Sequence, residues 1–278
     1  MRWTLPDSEP GIAQVNYLFE SSLQRLDRLF EQSDLNDEAV HQVRLELKKL
    51  RARLRLLQET LPEDACRKAL AAVRQLSHDL APLRDHKVLR QTLISLLDSP
   101  GRKAMLKRLL AVVEQHHLCA RPSQQQLVDD RQRLQLRVSA AAHPLVSGKP
   151  DQWLKHSYQR CRKQWQTIRR WPTASDLHRW RRSVKEMQYQ LRLLVPGQHS
   201  GYQSHLRQLG QRLGELHDLH ELERWMGETS RWFWLEERLV LSQAIRQRES
   251  ELLAQIMALG KRLYIRKPEA FCRWQPAG

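Results

Sequence analysis

Residues 40–57 read VHQVRLELKKLRARLRLL. The apolar positions Val40, Val43, Leu47, Leu50, Leu54 and Leu57 step by 3, 4, 3, 4 and 3 residues. That recurrence belongs to one face of an α-helix and to no strand. His41, Arg44, Lys48, Arg51 and Arg55 follow one position later with the same steps. They form a second stripe, turned about 100° from the first. The helix therefore buries one seam and carries a basic row beside it, rising about 21 Å from His41 to Arg55. Lys49 and Arg53 add cations, and Glu46 is the single acid. Like charges one turn apart weaken an isolated helix by a few tenths of a kcal/mol, and an ordinary solvated face alternates sign instead.

The design recurs. LHRWRRSVKEMQYQLRLL (177–194) aligns to 40–57 without gaps, pairing His41 with His178, Arg44 with Arg181, Lys48 with Lys185 and Arg55 with Arg192. Its seam is Leu177, Trp180, Val184, Met187, Leu191 and Leu194. Its row is His178, Arg181, Lys185 and Arg192, with Gln188 where Arg51 stands, and Arg179 and Arg182 nearby. A second match pairs VRQLSHDLAPLRDHKVL (73–89) with LRQLGQRLGELHDLHEL (206–222), bringing Arg74 onto Arg207 and Asp85 onto Asp218. The two offsets, 137 and 133, keep the order with a small change of length. A single basic helix is usually just a solvated face. The same row at the same phase in both copies argues for a use.

The bulk composition agrees with an all-α chain. Only 10 of 278 residues are glycine, and helix-favouring Leu, Arg, Gln and Ala dominate. Breakers divide the chain into helical segments of about 12–32, 37–60, 64–98, 101–119, 123–143, 151–170, 174–195, 201–227 and 230–264. Asn36 or Asp37 suits the cap of the second, Pro82 is expected to kink the third, and Thr173 with Asp176 suits a capping pair. The repeat makes this one domain over 1–278, with helical halves at about 12–143 and 149–265. Each half is expected to form an antiparallel bundle of about four helices, the two related by pseudo-symmetry.

The net charge is +16, unevenly placed: residues 1–40 carry −5 and the remainder +21. Self-repulsion of that size is usually offset by a polyanion such as nucleic acid, an acidic membrane or a polyphosphorylated ligand. The four cysteines are scattered, with no CxxC pair, so neither a zinc site nor a disulfide framework is indicated. The opening MRWTLPDSEP lacks an apolar core of leader length, and no apolar run reaches membrane-spanning length. The expected address is the cytoplasm.

The sequence resembles the CHAD family, the conserved histidine α-helical domain. The resemblance rests on His41-x-x-Arg44-x-x-x-Lys48-x-x-Arg51-x-x-x-Arg55, on His178-x-x-Arg181-x-x-x-Lys185, and on Leu83-Arg84-Asp85 and Leu216-His217-Asp218. It covers about 12–265. It implies two related helical bundles that bind inorganic polyphosphate, in some members at polyphosphate granules. The implied binding residues are His41, Arg44, Lys48, Lys49, Arg51, Arg55, Arg74, Arg84, His178, Arg181, Arg182, Lys185, Arg192 and Arg207. Asp85 and Asp218 are expected to orient them through ion pairs. Gln188 and His217 depart from the first copy's pattern, so the second half is expected to bind less strongly.

The residues unaided suit that ligand. Polyphosphate is a flexible chain of charges with no bases to read, so it needs only spaced donors on a rigid surface. Arg offers a planar fork and Lys a point charge. Counterion release makes such binding steeply salt-dependent. His41 and His178 sit in first helical turns, where the dipole opposes protonation and a bound phosphate favours it; packing or capping would serve them equally.

Three rival functions stay open. His78-Asp79 suggests a helical metal phosphohydrolase, but the repeat sets Gln211 and Arg212 opposite, and neither is a metal ligand. No nucleotide glycine loop or nucleophile elbow occurs, so a binding module without cofactor or metal is the expectation rather than an enzyme. Nucleic acid is the second alternative: nine Trp, among them Trp165, Trp171, Trp180, Trp232 and Trp234, offer stacking surfaces. A scaffold for acidic proteins is a third, with the acidic first helix covering the basic surface when no ligand is bound.

Overall fold

The structure, a computed structural model, describes residues 12–31, 36–56, 58, 61–117, 123–142, 150–194 and 201–273. Among these the chain is helical with turns between: α1 (Ile12–Phe30), α2 (Asp37–Leu56), α3 (Glu63–Asp79), α4 (Ala81–Leu97), α5 (Lys103–His117), α6 (Gln124–Ala142), α7 (Pro150–Ile168), α8 (Ala174–Leu194), α9 (Gly201–Glu228), α10 (Leu235–Leu263) and α11 (Pro268–Arg273). Short 3₁₀ turns occupy Pro100–Arg102 and Ser230–Trp232. The all-α class is as expected.

The starts follow local chemistry. Asn36 Oδ1 accepts from the Ala39 amide at 2.9 Å and caps α2. Thr173 Oγ1 accepts from the Asp176 amide at 3.1 Å and donates to the Asp176 carboxylate at 2.7 Å, so that pair caps α8. The segment expected over 64–98 is two helices, parted at Leu80 (φ −82°, ψ −2°). Pro82 lies in the first turn of α4, where its missing N–H has no partner to lose, and so it starts a helix instead of kinking one. The repeat counterpart, α9, runs unbroken from 201 to 228. α11 was not expected; it begins at Pro268 and seats Phe271 flat on the Tyr158 ring, centroids 3.9 Å apart.

Both predicted seams are buried. Val43, Leu47, Leu50 and Leu54 line one core, Leu177, Trp180, Val184, Met187 and Leu191 the other, and Val40 is buried as well. Each such side chain stabilises the fold by about 2 kcal/mol, an upper figure because the unfolded chain is not fully extended. Leu57 lies outside the described residues, as does the side chain of Leu194.

The two apolar cores do not divide at the joint between the repeats. The first takes Phe19 and Leu26 of α1, the α2 seam, Leu70, Val73 and Leu76 of α3, and Leu134 and Val138 of α6. The second is built on α7 to α11, yet Leu93 and Leu97 of α4 and Leu109 and Val113 of α5 belong to it. The break at Leu80 redirects the chain so that α4 packs on α9, carrying α5 with it. α2 and α8, the two motif helices, also pack on each other. They approach at Ala52, buried and small, whose carbonyl oxygen lies 3.5 Å from the Gln190 amide nitrogen.

Candidate functional site

The packing of α2 on α8 brings the two basic rows together. Arg51 of α2 lies beside Arg182 of α8 as well as its own neighbour Arg55. Burial, and then these like charges, draw the Arg51 guanidinium below its ordinary value, while Glu186 opposes the shift. Lys185 is drawn down by burial and by Arg181 and Arg192, with Asp218 opposing. So the row is not a solvated stripe: Arg44, Lys48, Arg51, Arg181 and Lys185 are half-buried, and His41, Arg55, Arg182 and Arg192 are exposed. Half-buried cations of like sign raise one another's cost, which Glu186 and Asp218 offset in part.

Within the row the side chains differ in use. Arg44 Nη1 donates to the Ser77 carbonyl of α3 at 2.8 Å, which fixes its fork against that helix. Lys49 turns to the α1 side, where its Nζ lies 2.5 Å from Glu46, a buried acid that also lies near Arg25 and Ser22 of α1. Arg53 donates to Ser22 on the same side. α1 thus packs against the back of α2 and does not cover the row. Its Asp27 pairs with Arg131 of α6 at 2.8 Å. Arg84 lies in α4, and its side chain is outside the described residues. Asp85 is half-buried in α4, and the Asp218 carboxylate lies near enough to Lys185 to raise its affinity for a proton.

Two clefts continue the row, and the repeat relates them. One, of about 560 Å³, is lined by Arg55 of α2 and Arg74 and Arg67 of α3, with Cys66 and Leu70 at its apolar side. The other, of about 150 Å³, is lined by Arg192 and Lys185 of α8, Arg207 and Gln203 of α9, and Leu45 of α2. Arg55 matches Arg192 in the repeat, Arg74 matches Arg207, and Leu70 matches Gln203. Equivalent arginine pairs therefore line a cleft in each half.

The departures in the second copy have structural counterparts. Gln188, opposite Arg51, donates its amide to the Leu206 carbonyl of α9. Gly210 allows that approach: a Cβ there would lie 2.5 Å from Gln188 Nε2. His217, opposite Arg84, sets its Nδ1 3.3 Å from that of His178. Burial first, then Arg182 and Arg181, hold the His178 imidazole below its usual range, and Glu221 opposes them.

Two members of the site carried no sequence signal. Tyr189 is half-buried among Arg51, Arg181 and Arg192; its repeat partner is Ala52, so the alignment does not point to it. Glu186 lies 2.6 Å from Arg160 and close to Arg51, an acid under the crossing whose partners become visible only in three dimensions. His78 and Asp79, the pair behind the phosphohydrolase alternative, touch each other, His78 Nδ1 lying 3.2 Å from Asp79 Oδ1, and differ in burial. His78 is exposed, whereas Asp79 is buried and takes Gln75 at 2.9 Å. Among the tryptophans, Trp180 and Trp165 are core, while Trp171 and Trp234 stand in solvent.

Two motif helices cross with their cationic rows together, inside an all-helical fold with an arginine-lined cleft in each repeat. A family model, the CHAD domain, matches residues 18–227, and the chain belongs to that family. The fold is similar to the CHAD domain from the plant Ricinus communis, at 19% identity and a TM-score of 0.62, covering 96% of this chain and 97% of that one. It is also similar to PptA from Streptomyces chartreusis, at 14% identity and 0.64, covering 92% and 98%. No curated protein matches the chain.

Proposed function

We propose that the protein binds inorganic polyphosphate along the α2–α8 crossing and into the two clefts, as a non-catalytic module. The observation that carries this reading is the repeat-matched pairing of Arg55 with Arg74 and of Arg192 with Arg207, one pair per cleft. Spaced guanidinium forks on rigid helices suit a chain of phosphates that offers charge and oxygens and nothing else. The half-buried Arg51 and Lys185 between them gain most from an anion, because their partial desolvation strengthens each interaction. A polyphosphate granule would offer such a surface many chains at once.

The test is titration with polyphosphates of graded length at two salt concentrations. Wild type is expected to bind long chains with steep salt dependence. Replacing Arg55, Arg74, Arg192 and Arg207 by Gln should lower the slope of log affinity against log salt by about 3, at about 0.7 per lost phosphate contact. These four side chains are exposed, so helix content should not change. Tighter binding of single-stranded DNA than of polyphosphate at matched charge would overturn the reading. The exposed indole of Trp171, between Arg170 and Pro172, makes nucleic acid the competitor to run.

A further inference from the structure

We propose that the start of α10 is a docking tip for an anionic lipid surface, separate from the basic crossing. Trp234, Leu235 and Leu239 are 65%, 72% and 62% exposed. Leu235 and Leu239 are one turn apart on the same face, and the exposed Trp234, the N-cap residue, stands at the same end of the helix. Three large apolar side chains left this bare within six residues are not the scattered single exposures of an ordinary surface.

The tip is held in place. The Arg108 guanidinium of α5 lies 4.1 Å from the Trp234 ring centroid, over its face. The same side chain donates through Nε to the Glu237 carboxylate at 2.6 Å and through Nη2 to the Trp232 carbonyl at 3.0 Å. Glu237 is buried and also accepts from the Trp234 amide at 2.9 Å. A buried ion pair and a stacked cation thus keep the indole out in water, where burial alone would fold it down.

Exposure and charge select the occupant. Side chains lining a groove for a peptide helix are half covered by its walls; these project, as a wedge that enters a soft interface does. The Arg108–Glu237 pair satisfies itself, and the remaining charges along the tip are Arg231 and Arg238 against Glu236, two cations to one acid. A second copy would press those cations against their like. An anionic headgroup layer accepts the cations while Trp and Leu enter the acyl boundary. None of the helices searched is long and apolar enough to cross a membrane, so contact would be from one side.

The experiment is flotation with vesicles of phosphatidylcholine alone or with an equal part of phosphatidylglycerol. Wild type should float with the mixed vesicles and not with phosphatidylcholine alone. Both L235S/L239S, which keeps the Arg108–Trp234 stack, and W234S/L235S/L239S should lose about tenfold in apparent affinity, with polyphosphate affinity unchanged. R231E/R238E should lose a similar amount. The proposal fails if the serine variants float like wild type, since the basic crossing alone would then hold the vesicles. It fails if wild type does not float. It also fails if wild type dimerises through this patch, shown by a sedimentation coefficient that the serine variants lower.

Discussion

The imidazoles of His178 and His217 face each other with Nδ1 atoms 3.3 Å apart and ring centroids 4.6 Å apart. Only one proton fits between the two nitrogens, so one of them accepts. Arg181 and Arg182 of α8 and Glu221 of α9 lie close by. The folded protein therefore favours neutral His178, and a bound phosphate favours the cation. Polyphosphate affinity is expected to rise as pH falls through the ordinary histidine range near 6.5 and on below it, with proton uptake on binding seen by calorimetry in buffers of different ionisation heat. H178Q should flatten the profile. Equal affinity on both sides of that range would refute the assignment.

Asp79 of α3 and Asp130 of α6 are both buried and close enough to oppose each other's charge, so the pair favours holding one proton. Burial, and then Asp79, push the Asp130 carboxyl up to about 6, and the Asp79 carboxyl falls below its ordinary value. For Asp130 the folded state holds its proton more tightly than the unfolded state. Its contribution is complete below 3.8 and is lost as pH rises through about 6. D130N imitates the protonated acid. Its melting temperature should match wild type near the lower limit and exceed it at neutral pH. A constant difference across that window would show that the pair does not share a proton.

Gly260 of α10 lies under the Trp165 ring. A Cβ there would meet Cε3 and Cζ3 at 2.5 Å, and both residues are buried. Alanine favours helix by about 1 kcal/mol. The indole is rigid and packed on Trp180 at 5.5 Å, so it has little room to move. Overpacking is expected to win, and G260A should lower stability by about 2 kcal/mol in urea denaturation. A gain in stability would show that Trp165 has room to shift.

Arg108 and Glu237 join α5 to α10, with only 3% of the Glu237 side chain exposed. R108A leaves that carboxylate with the Trp234 amide and no cation. The loss should be about 3 kcal/mol at neutral pH and smaller in acid, where the abandoned carboxylate takes up a proton. Urea denaturation at two pH values checks both the size and the direction; a loss independent of pH would assign it to the missing stack on Trp234 instead.

Much of the fold was readable from spacing alone. The seams of α2 and α8 were found because an apolar side chain every third or fourth residue has a single helical solution, and every described member is buried. The capping of α2 by Asn36 and of α8 by Thr173 was equally local. What escaped was long-range. Whether Pro82 bends a helix or starts one depends on what α4 packs against, and α9 is over a hundred residues away. The site divides the same way. The rows were periodic and repeated, so their residues could be named. That Lys49 serves Glu46 while Lys48 stays with the row needed the position of α1. Tyr189 and Glu186 enter through the crossing itself, which no one-dimensional pattern contains.

The break at Leu80 also decides what happens when the chain is cut. A polypeptide ending near residue 143 would carry Leu93, Leu97, Leu109 and Val113 with nothing to cover them, and the remainder would lack the same plug. Neither fragment is a miniature of the whole. Mixed in equal amounts, the two should recover a native-like complex that each alone cannot form, so the two pieces are mutually dependent.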